Sequence, residues 1–404
     1  MPSPGLKSSV ALAARLLAVT TLVVATAGAI EPANPSVSPR LAKHQEAFAE
    51  ARVIQVSERV FVAFAYSMCN IVMVVGDEGV AIFDTGFRLE EGDAALRALR
   101  AKSDLPVRAV VYSHGHTDHT GGSRAFAPAD ADPPIRVYAQ ANYARYLAEM
   151  HGSTRPVFTR RAVAQLGMIL PEGKAGTVGS GGGPVVRFAG TVGYAAPTDI
   201  VEERATIDLG GVHLELFHAP GDLDDALAAW IPEEGVLLTG DTVVGTHTHP
   251  ILSTPRYEKG RDARAYVETL GRMRKYPARV LVGGHGLPVE GVEAVADLLE
   301  RTEMVAQFMI DETLRLTRQN LSGPEIAAAI KIPESLAGGQ EFADYYHRLS
   351  WIVRGVHAKE MGWYGGDVLE LVAHSPVHRA RLLVAALGGS DSVLDQGEAA
   401  YRGD

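Results

Sequence analysis

The chain has 404 residues, 47% of them hydrophobic and 21% charged, which suits a globular protein of two domains or one large domain. The formal net charge is −10, so we expect no general affinity for nucleic acid or an anionic membrane, and an anionic substrate would need local positive charge. Cys69 is the single cysteine, which excludes an intramolecular disulfide.

The N-terminus has the layout of a secretory signal peptide. Lys7 and Arg15 accompany a small and apolar run over residues 10–30, and the small residues 27–29 favour cleavage after Ala29. The alternative is an uncleaved anchor helix. No later run is long and apolar enough to span a bilayer, so the sequence predicts a periplasmic or secreted protein without a stable membrane span after cleavage.

From residue 53 onward the pattern predicts strands and a helix in succession. Two apolar runs flank Gly76-Asp77-Glu78-Gly79, which predicts a hairpin turn, and residues 91–102 have helical spacing. The short apolar run from Val110 to Tyr112 then predicts a buried strand. This strand–helix–strand order predicts an α/β fold with a layered sheet flanked by helices.

The loop after that strand carries four ligand-type side chains within six residues: His114, His116, Asp118 and His119. Ligands collect at the carboxyl end of a buried strand, so this loop can present three imidazoles and one carboxylate to one cavity. One metal ion needs fewer ligands than this from one segment, and two ions, on His114/His116 and on Asp118/His119, fit the number better. The alternative, a His-rich surface loop without metal, leaves the crowding beside paired glycines unexplained.

The pattern His-x-His-x-Asp-His resembles the metallo-β-lactamase superfamily. The resemblance implies an αββα sandwich with a dinuclear zinc centre, and it implies that Asp84 of Asp84-Thr85-Gly86 supports the metal loop. Four later motifs resemble the alkylsulfatase branch: residues 160–162, 170–173, 178–181 and 197–200. We predict a flexible lid or connecting loop from residue 159 to residue 183, since its glycine run lacks the Lys-Ser/Thr of a P-loop.

The same branch implies two further carboxylate ligands. It places one after the Pro220-Gly221 turn and a second nineteen residues later, which matches Asp222 for the first metal and Asp241 as the bridging carboxylate (241 − 222 = 19). The branch typically has Glu at both positions, and the shorter Asp is expected to alter the metal geometry or the substrate range. Asp224 and Asp225 are the alternatives if the register differs by two or three residues.

His285 follows a predicted buried strand and two glycines, which suits the last ligand of the second metal, a plain core histidine being the alternative. Four further histidines are expected to support or line the pocket: His213, His218, His247 and His249. The predicted metal set is His114, His116, Asp118, His119, Asp222, Asp241 and His285, with Asp118 and Asp241 as catalytic carboxylates.

Substrate contacts are implied at two positions. In the alkylsulfatase branch an arginine near Arg256 binds the sulfate, because a guanidinium offers paired donors to two anionic oxygens. Arg261 is the second candidate, although the pair Arg261-Asp262 at a helix start can instead act as a cap. Tyr364 is a further predicted pocket residue.

After Pro288 the pattern is helical, with helices predicted over 292–317, 325–330, 340–359 and 376–387. Residues 321–326 and 362–364 resemble the helical dimerisation region of alkylsulfatases, which implies a homodimer. Since the chain ends at Asp404, we expect no C-terminal sterol-carrier-like domain. The predicted division is a signal peptide at 1–29, a catalytic domain at 30–290, a dimerisation region at 291–388 and a flexible tail at 389–404.

Together these resemblances imply an exported hydrolase with two Zn²⁺ ions that cleaves alkyl sulfate esters to alcohol and sulfate. A metal-bridging hydroxide would be available near neutral pH, because two ions lower the pKa of a shared water. Two rivals stay open. One is a hydrolase of another ester, such as a phosphoester, lactone or β-lactam, and the other is a non-catalytic metal-containing binding protein.

Overall fold

The computed structural model of the protein describes residues 37–173, 175–187, 189–244, 260–337, 345, 346, 348–362, 364, 371 and 374–402. These residues fall into two compact units, one within residues 37–374 and one within residues 375–402. Across these ranges, no helix combines the length and apolar character needed to cross a membrane. The predicted signal peptide, His247, His249 and Arg256 lie outside the described residues.

Residues 37–374 contain two β-sheets, the first with seven strands in chain order. Its strands are β1 (Arg52–Gln55), β2 (Val60–Phe64), β3 (Ile71–Val75), β4 (Val80–Phe83), β5 (Val107–Val111), β6 (Arg136–Gln140) and β7 (Asp199–Val201). Strands β1 to β4 pair antiparallel, and strands β4 to β7 pair parallel. The parallel half brings the carboxyl ends of β4 and β5 to the same edge, where ligands collect.

The second sheet has the order β13-β12-β11-β10-β9-β8. Its strands are β8 (Arg204–Asp208), β9 (His213–His218), β10 (Leu227–Ile231), β11 (Val236–Gly240), β12 (Val280–Gly283) and β13 (Val289–Glu290). All neighbours pair antiparallel except β11 and β12, which pair parallel. The residues that follow β11 and β12 therefore emerge side by side.

Helices of the first unit flank the sheets and form its C-terminal part. They are α1 (Pro39–Gln45), α2 (Leu89–Leu99), α3 (Thr117–Thr120), α4 (Tyr143–His151), α5 (Arg155–Gln165), α6 (Ala263–Met273), α7 (Val292–Thr317), α8 (Gly323–Ala329), α9 (Glu334–Ala337) and α10 (Leu349–Met361). Single 3₁₀ turns lie at Glu46–Phe48 and Ser123–Ala125. The second unit contains α11 (Pro376–Ala386) and α12 (Ser390–Arg402), which contact each other.

The apolar side chains define a helix–sheet–sheet–helix layering. In β2, Val62 and Phe64 pack in the cluster between the sheets with Leu214 of β9, whereas Phe61 packs in the cluster that holds Leu99 of α2. This alternation follows from the two-residue period of a strand. On the far side of the second sheet, a third cluster combines strand residues with α6, α7 and α10. The predicted αββα sandwich is confirmed.

The C-terminal helices of the first unit share that third cluster. Met309 of α7, Ile326 of α8 and Ile352 of α10 are fully buried in it. A reciprocal capping box between Ser322 and Glu325 begins α8 and satisfies two backbone donors at its first turn. The predicted helical region after the sandwich is likewise confirmed.

The structure differs from the sequence expectations in two elements. Residues 155–165 form α5, which occupies part of the segment predicted as a loop; Pro156 lies in its first turn, where proline is compatible with a helix. Residues 390–402 form α12, where a flexible tail was predicted. Gly388 and Gly389 have positive φ and end α11, but the residues beyond them are able to start a new helix.

Candidate metal centre

Asp84 holds the metal loop in place from the end of β4. Its φ of 61° is left-handed, a conformation that Asp tolerates better than most side chains. Asp84 Oδ1 accepts a hydrogen bond from the Ser113 backbone N–H at 2.7 Å, and Oδ2 lies 2.7 Å from His119 Nδ1. Since a carboxylate can only accept, His119 Nδ1 donates and its Nε2 keeps a lone pair for the centre.

Four side chains form a first cluster, with one ligand atom of each within 4.8 Å of the others: His114, His116, Asp222 and Asp241. His114 Nε2 and His116 Nδ1 are 2.7 Å apart, and His116 Nδ1 lies 3.1 Å from Asp222 Oδ2. His114 Nε2 lies 3.8 Å from Asp241 Oδ2. Loops after β5, β9 and β11 thus meet at one point.

Asp118, His119 and His285 form a second cluster beside the first. Asp118 Oδ2 lies 3.4 Å from His119 Nε2 and 3.5 Å from His285 Nε2. Asp241 Oδ1 lies 3.4 Å and 3.2 Å from the same two nitrogens, while its Oδ2 faces the first cluster. Asp241 therefore stands between the clusters, where a bridging ligand would lie.

The carbonyl of Met68 orients His285. His285 Nδ1 donates to this carbonyl at 2.9 Å, which directs Nε2 towards Asp118 and Asp241. The parallel pairing of β11 and β12 explains why Asp241 and His285 meet, since each follows one of these strands. A second interaction of this kind is typical of metal-binding histidines.

The two alternatives to Asp222, which are Asp224 and Asp225, lie outside both clusters. Asp224 forms an ion pair with Arg145 near the surface, and Asp225 is fully buried among other neighbours. Asp222 is the carboxylate of this turn that reaches His114 and His116. Of the four further candidate histidines, the two that the structure describes bond elsewhere, His213 to Glu233 and His218 to the Asp224 carbonyl.

The residues present fit a pair of divalent metal ions. His119 Nε2 and Asp241 Oδ1 are buried but make no hydrogen bond of good geometry within the described residues, which is costly for polar atoms unless another partner binds them. Imidazole nitrogens and carboxylate oxygens in groups of three and four are ligands that Zn²⁺ takes. Gly284 leaves the space for them, because a Cβ there would lie 2.1 Å from Asp241 Oδ1.

The charges of the two clusters are strongly interdependent. Burial, aided by His119 and His116, holds the pKa of His114 well below its usual value, so this ring is neutral. Burial also opposes charge on His285, but Asp241 and Asp118 outweigh it and raise its pKa to about 9. Burial would raise the pKa of Asp118, yet His119 and His285 lower it, so Asp118 is a carboxylate at neutral pH.

Arg261 has a contact that the sequence did not predict. Its Nε and Nη2 donate to Asp222 Oδ1 at 3.0 and 2.7 Å, and both side chains are buried. Asp262, not Arg261, caps α6 by accepting from the backbone N–H groups of Arg264 and Ala265. The pair Arg261-Asp262 was visible in the sequence. Asp222, which Arg261 contacts, lies 39 residues earlier, and only the tertiary structure brings the two together.

Both clusters open into a cavity of about 720 Å³. Helices α4 and α5, the second of which the sequence did not predict, give it an apolar wall that includes Leu147, Met150 and Phe158, and Leu166 extends this wall directly after α5. Tyr364 is half-buried and is not among the lining residues, whereas Tyr346 is. Among the described residues, four arginines line the cavity: Arg88, Arg155, Arg161 and Arg261.

Residues 66–285, which include every member of both clusters, match the metallo-beta-lactamase superfamily. Residues 322–404 match the alkyl sulfatase dimerisation family. Because the first match covers more than half of the chain, the protein belongs to the metallo-beta-lactamase superfamily. Its C-terminal region is of the alkyl sulfatase dimerisation type, so the predicted resemblance is confirmed.

Proteins of known activity resemble the chain over most of its length. A linear primary-alkylsulfatase from a Pseudomonas strain is 30% identical over 336 residues, which are 82% of this chain and 63% of that protein. An (R)-specific secondary-alkylsulfatase from Pseudomonas is 30% identical over 92% of this chain and 57% of its own. The solved structure of a stereoselective inverting sec-alkylsulfatase from Pseudomonas superimposes with a TM-score of 0.84 at 28% identity, covering 93% of this chain and 61% of that one. The chain thus spans about three-fifths of the length of these relatives.

Proposed function

We propose that the protein hydrolyses sulfate esters of aliphatic alcohols to alcohol and sulfate, with two Zn²⁺ ions in the metal centre. The observation that carries the proposal is that two ligand clusters, with Asp241 between them, open into a cavity that combines apolar walls with arginines. The similarity to alkylsulfatases over more than four-fifths of the chain supports the same ester class.

The lining of the cavity suits an amphiphilic anion. Each methylene group that leaves water for an apolar wall contributes about 0.8 kcal/mol. A guanidinium can pair two donors with two sulfate oxygens, and Arg88, Arg155 and Arg161 line the cavity of a chain with net charge −10. Arg256 remains the predicted sulfate-binding arginine, outside the described residues.

In this proposal, most residues of the two clusters bind the metal ions, and one carboxylate also orients a water. His114, His116 and Asp222 would hold the first ion, Asp118, His119 and His285 would hold the second, and Asp241 lies between the two sets. When bound, the two ions supply a water that deprotonates near neutral pH and positive charge for the ester oxygens. Asp118, the ligand carboxylate with the most exposed side chain (16%), lines the cavity and would orient a water there by accepting its hydrogen bond.

We also propose that the protein is exported and pairs as a homodimer. Export rests on the N-terminal layout around Lys7 and residues 10–30. Pairing rests on the match of residues 322–404 to the alkyl sulfatase dimerisation family. Cell fractionation with an antibody against the protein tests export. Recovery of the protein in the cytoplasmic fraction would contradict it.

The test of the activity combines metal analysis with a panel of esters: dodecyl sulfate, an aryl sulfate, a phosphodiester and a β-lactam. We expect about two zinc ions per chain and turnover that is fastest on dodecyl sulfate. Asp118→Ala should lower that turnover at least a hundredfold, while His213→Ala, on an exposed surface remote from the clusters, should not change it.

Two outcomes of this panel favour the rival functions. Turnover of the β-lactam or phosphodiester alone would identify a hydrolase of another ester on the same fold. Bound zinc without turnover of any ester would indicate a binding protein.

A further inference from the structure

Asp222 differs from the other candidate metal ligands in having a buried cation of its own. Arg261 donates to Asp222 Oδ1 through two nitrogens, Nε at 3.0 Å and Nη2 at 2.7 Å, and each residue is only 3% exposed. Asp222 Oδ2 instead lies 3.1 Å from His116 Nδ1 and 3.9 Å from His114 Nε2. Oδ1 of Asp222 thus contacts the guanidinium, and Oδ2 faces the other members of the first cluster.

The backbone around Arg261 is anchored by the helix cap that follows it. Gly260 precedes it with a φ of 74°, a conformation that favours glycine. Asp262 follows it and caps α6 through the N–H groups of Arg264 and Ala265. Because its chain position is fixed, Arg261 can hold the Asp222 carboxylate in one orientation.

The contact between Arg261 and Asp222 also balances charge at the metal centre. Asp118, Asp222 and Asp241 are three carboxylates crowded among four imidazoles, and burying a carboxylate without a partner is costly. Asp241 and Asp118 have His119 and His285 beside them, and Asp222 has His114 and His116 beside it. Among the described residues, Arg261 gives Asp222 in addition a guanidinium, which neither Asp118 nor Asp241 contacts.

We propose that Arg261 is a positioning residue for the first metal: it occupies one oxygen of Asp222, offsets its charge, and leaves Asp222 as a ligand with a single available oxygen. The pair Asp222–Arg261 then behaves like one neutral ligand such as an imidazole. This inference rests on the metal centre of the proposed function, but it concerns how one ligand is held and not which ester is cleaved.

The test compares zinc retention by the 404-residue chain and five variants during dialysis against increasing concentrations of a chelator. Arg261→Leu should weaken the first zinc about 10- to 100-fold, as is usual when the partner of a metal ligand is removed, and should leave the second zinc bound. Arg261→Lys keeps the charge but not the two-pronged contact, and we expect a loss of about tenfold. Arg264→Leu, which removes an exposed arginine of α6 paired with Glu360, is the matched control and should retain both ions.

A double variant separates positioning from a merely structural ion pair. Asp222→His alone should bind the first zinc weakly, because Arg261 becomes a buried cation without a carboxylate. Combining Asp222→His with Arg261→Leu should restore zinc binding to within several-fold of the wild type, since the imidazole is neutral and needs no cation. Strictly additive losses in the double variant would overturn the proposal.

Thermal unfolding of the chelator-treated proteins supplies the second readout. A lower Tm for Arg261→Leu together with unchanged zinc affinity would show that the Asp222–Arg261 pair only stabilises the fold. That result would overturn the inference, while the proposed function would stand. If Arg261→Leu does not fold, Arg261→Lys decides by the same criterion. A wild-type protein that retains no zinc would overturn the metal centre itself, and this inference with it.

Discussion

His285 lies between two carboxylates, and this environment determines how acid acts on the centre. Asp241 Oδ1 and Asp118 Oδ2 lie 3.2 and 3.5 Å from its Nε2. Burial opposes a charge here, but these neighbours raise the pKa of His285 to about 9. A histidine must be deprotonated to bind metal, so protons and metal compete for the same nitrogen.

We therefore expect opposite pH trends with and without metal. As the pH is lowered below 9, the apparent zinc affinity should fall about tenfold for each pH unit, because one proton must leave His285 before zinc can bind. Without metal, the raised pKa stabilises the fold fully below the ordinary value of 6.5, and this stability, on the order of 3 kcal/mol, is lost as pH rises through 9. Chelator competition and denaturant unfolding between pH 6 and 9 measure the two trends. Equal slopes with and without zinc would contradict them.

Asp225 should give a pH dependence in a different range. Burial, with the charge of Asp224 adding to it, raises the pKa of Asp225 from 3.8 to about 7. The folded state therefore keeps a proton that the unfolded chain releases, and stability falls as pH rises from about 4 to 7. Asp225→Asn should raise the free energy of unfolding at pH 8 by about 2–4 kcal/mol and change it little at pH 4.

Chemical denaturation at the two pH values measures this effect. Asp130→Asn, an exposed position, is the control and should be neutral at both. A gain for Asp225→Asn that is the same at pH 4 and pH 8 would show that the buried charge is not its cause.

At the scale of single elements, α10 contributes to stability through one face. Ile352, Val353 and Val356 are buried in the cluster that also contains α7 and α8. Ile352→Ala should destabilise the protein by about 2–5 kcal/mol, the usual cost of removing a large side chain from a packed core. Met361→Ala, on the same helix but 52% exposed, should change the free energy of unfolding by less than about 0.5 kcal/mol. Guanidinium titration distinguishes them, and equal effects would contradict the packing.

Helix α5 should influence which alkyl chains are accepted. Phe158 lines the cavity, whereas its neighbour Val157 is 40% exposed and does not. Phe158→Ala removes apolar surface that a long chain would cover, so its KM for dodecyl sulfate should rise about tenfold and that for butyl sulfate much less. Val157→Ala should leave both unchanged. A uniform rise in KM for short and long chains would exclude a role for α5 in chain recognition.

At the scale of the whole molecule, residues 375–402 carry several exposed apolar side chains within a short stretch. Leu382, Leu383 and Leu394 are 51%, 62% and 66% exposed. Exposed apolar groups of this kind mark association surfaces, and the match to a dimerisation family lies in the same region. These two observations lead to the same expectation of a pair of chains.

Leu383→Glu should convert that pair to single chains, because a charge would be buried in an apolar interface. Gln396→Glu adds the same charge at an exposed polar position and should leave the mass unchanged. Light scattering measures the mass of each. A wild-type protein with the mass of one chain, or a Leu383→Glu variant that still pairs, would contradict the expectation.

What the sequence determined by itself was local. The four metal-loop residues of 114–119 are neighbours along the chain, so any strand that ends shortly before His114 places them together, and the two-residue period of β2 defines its two faces. The helical region after Pro288 followed from such patterns, which depend on interactions between residues a few positions apart. The αββα sandwich was instead implied by the resemblance of the metal-loop motif to a known superfamily.

What only the tertiary structure decided depends on contacts between distant segments. Asp222, rather than Asp224 or Asp225, reaches the first cluster because of how the turn after β9 packs, and a shift of two residues was not visible in the sequence. The place of Asp241 between the clusters depends on the parallel pairing of β11 with β12. The contact of Arg261 with Asp222 joins residues 39 positions apart, and the wall formed by α5 depends on packing across the cavity. Chain connectivity brings a ligand loop together, but only the packed sheets bring its partners to it.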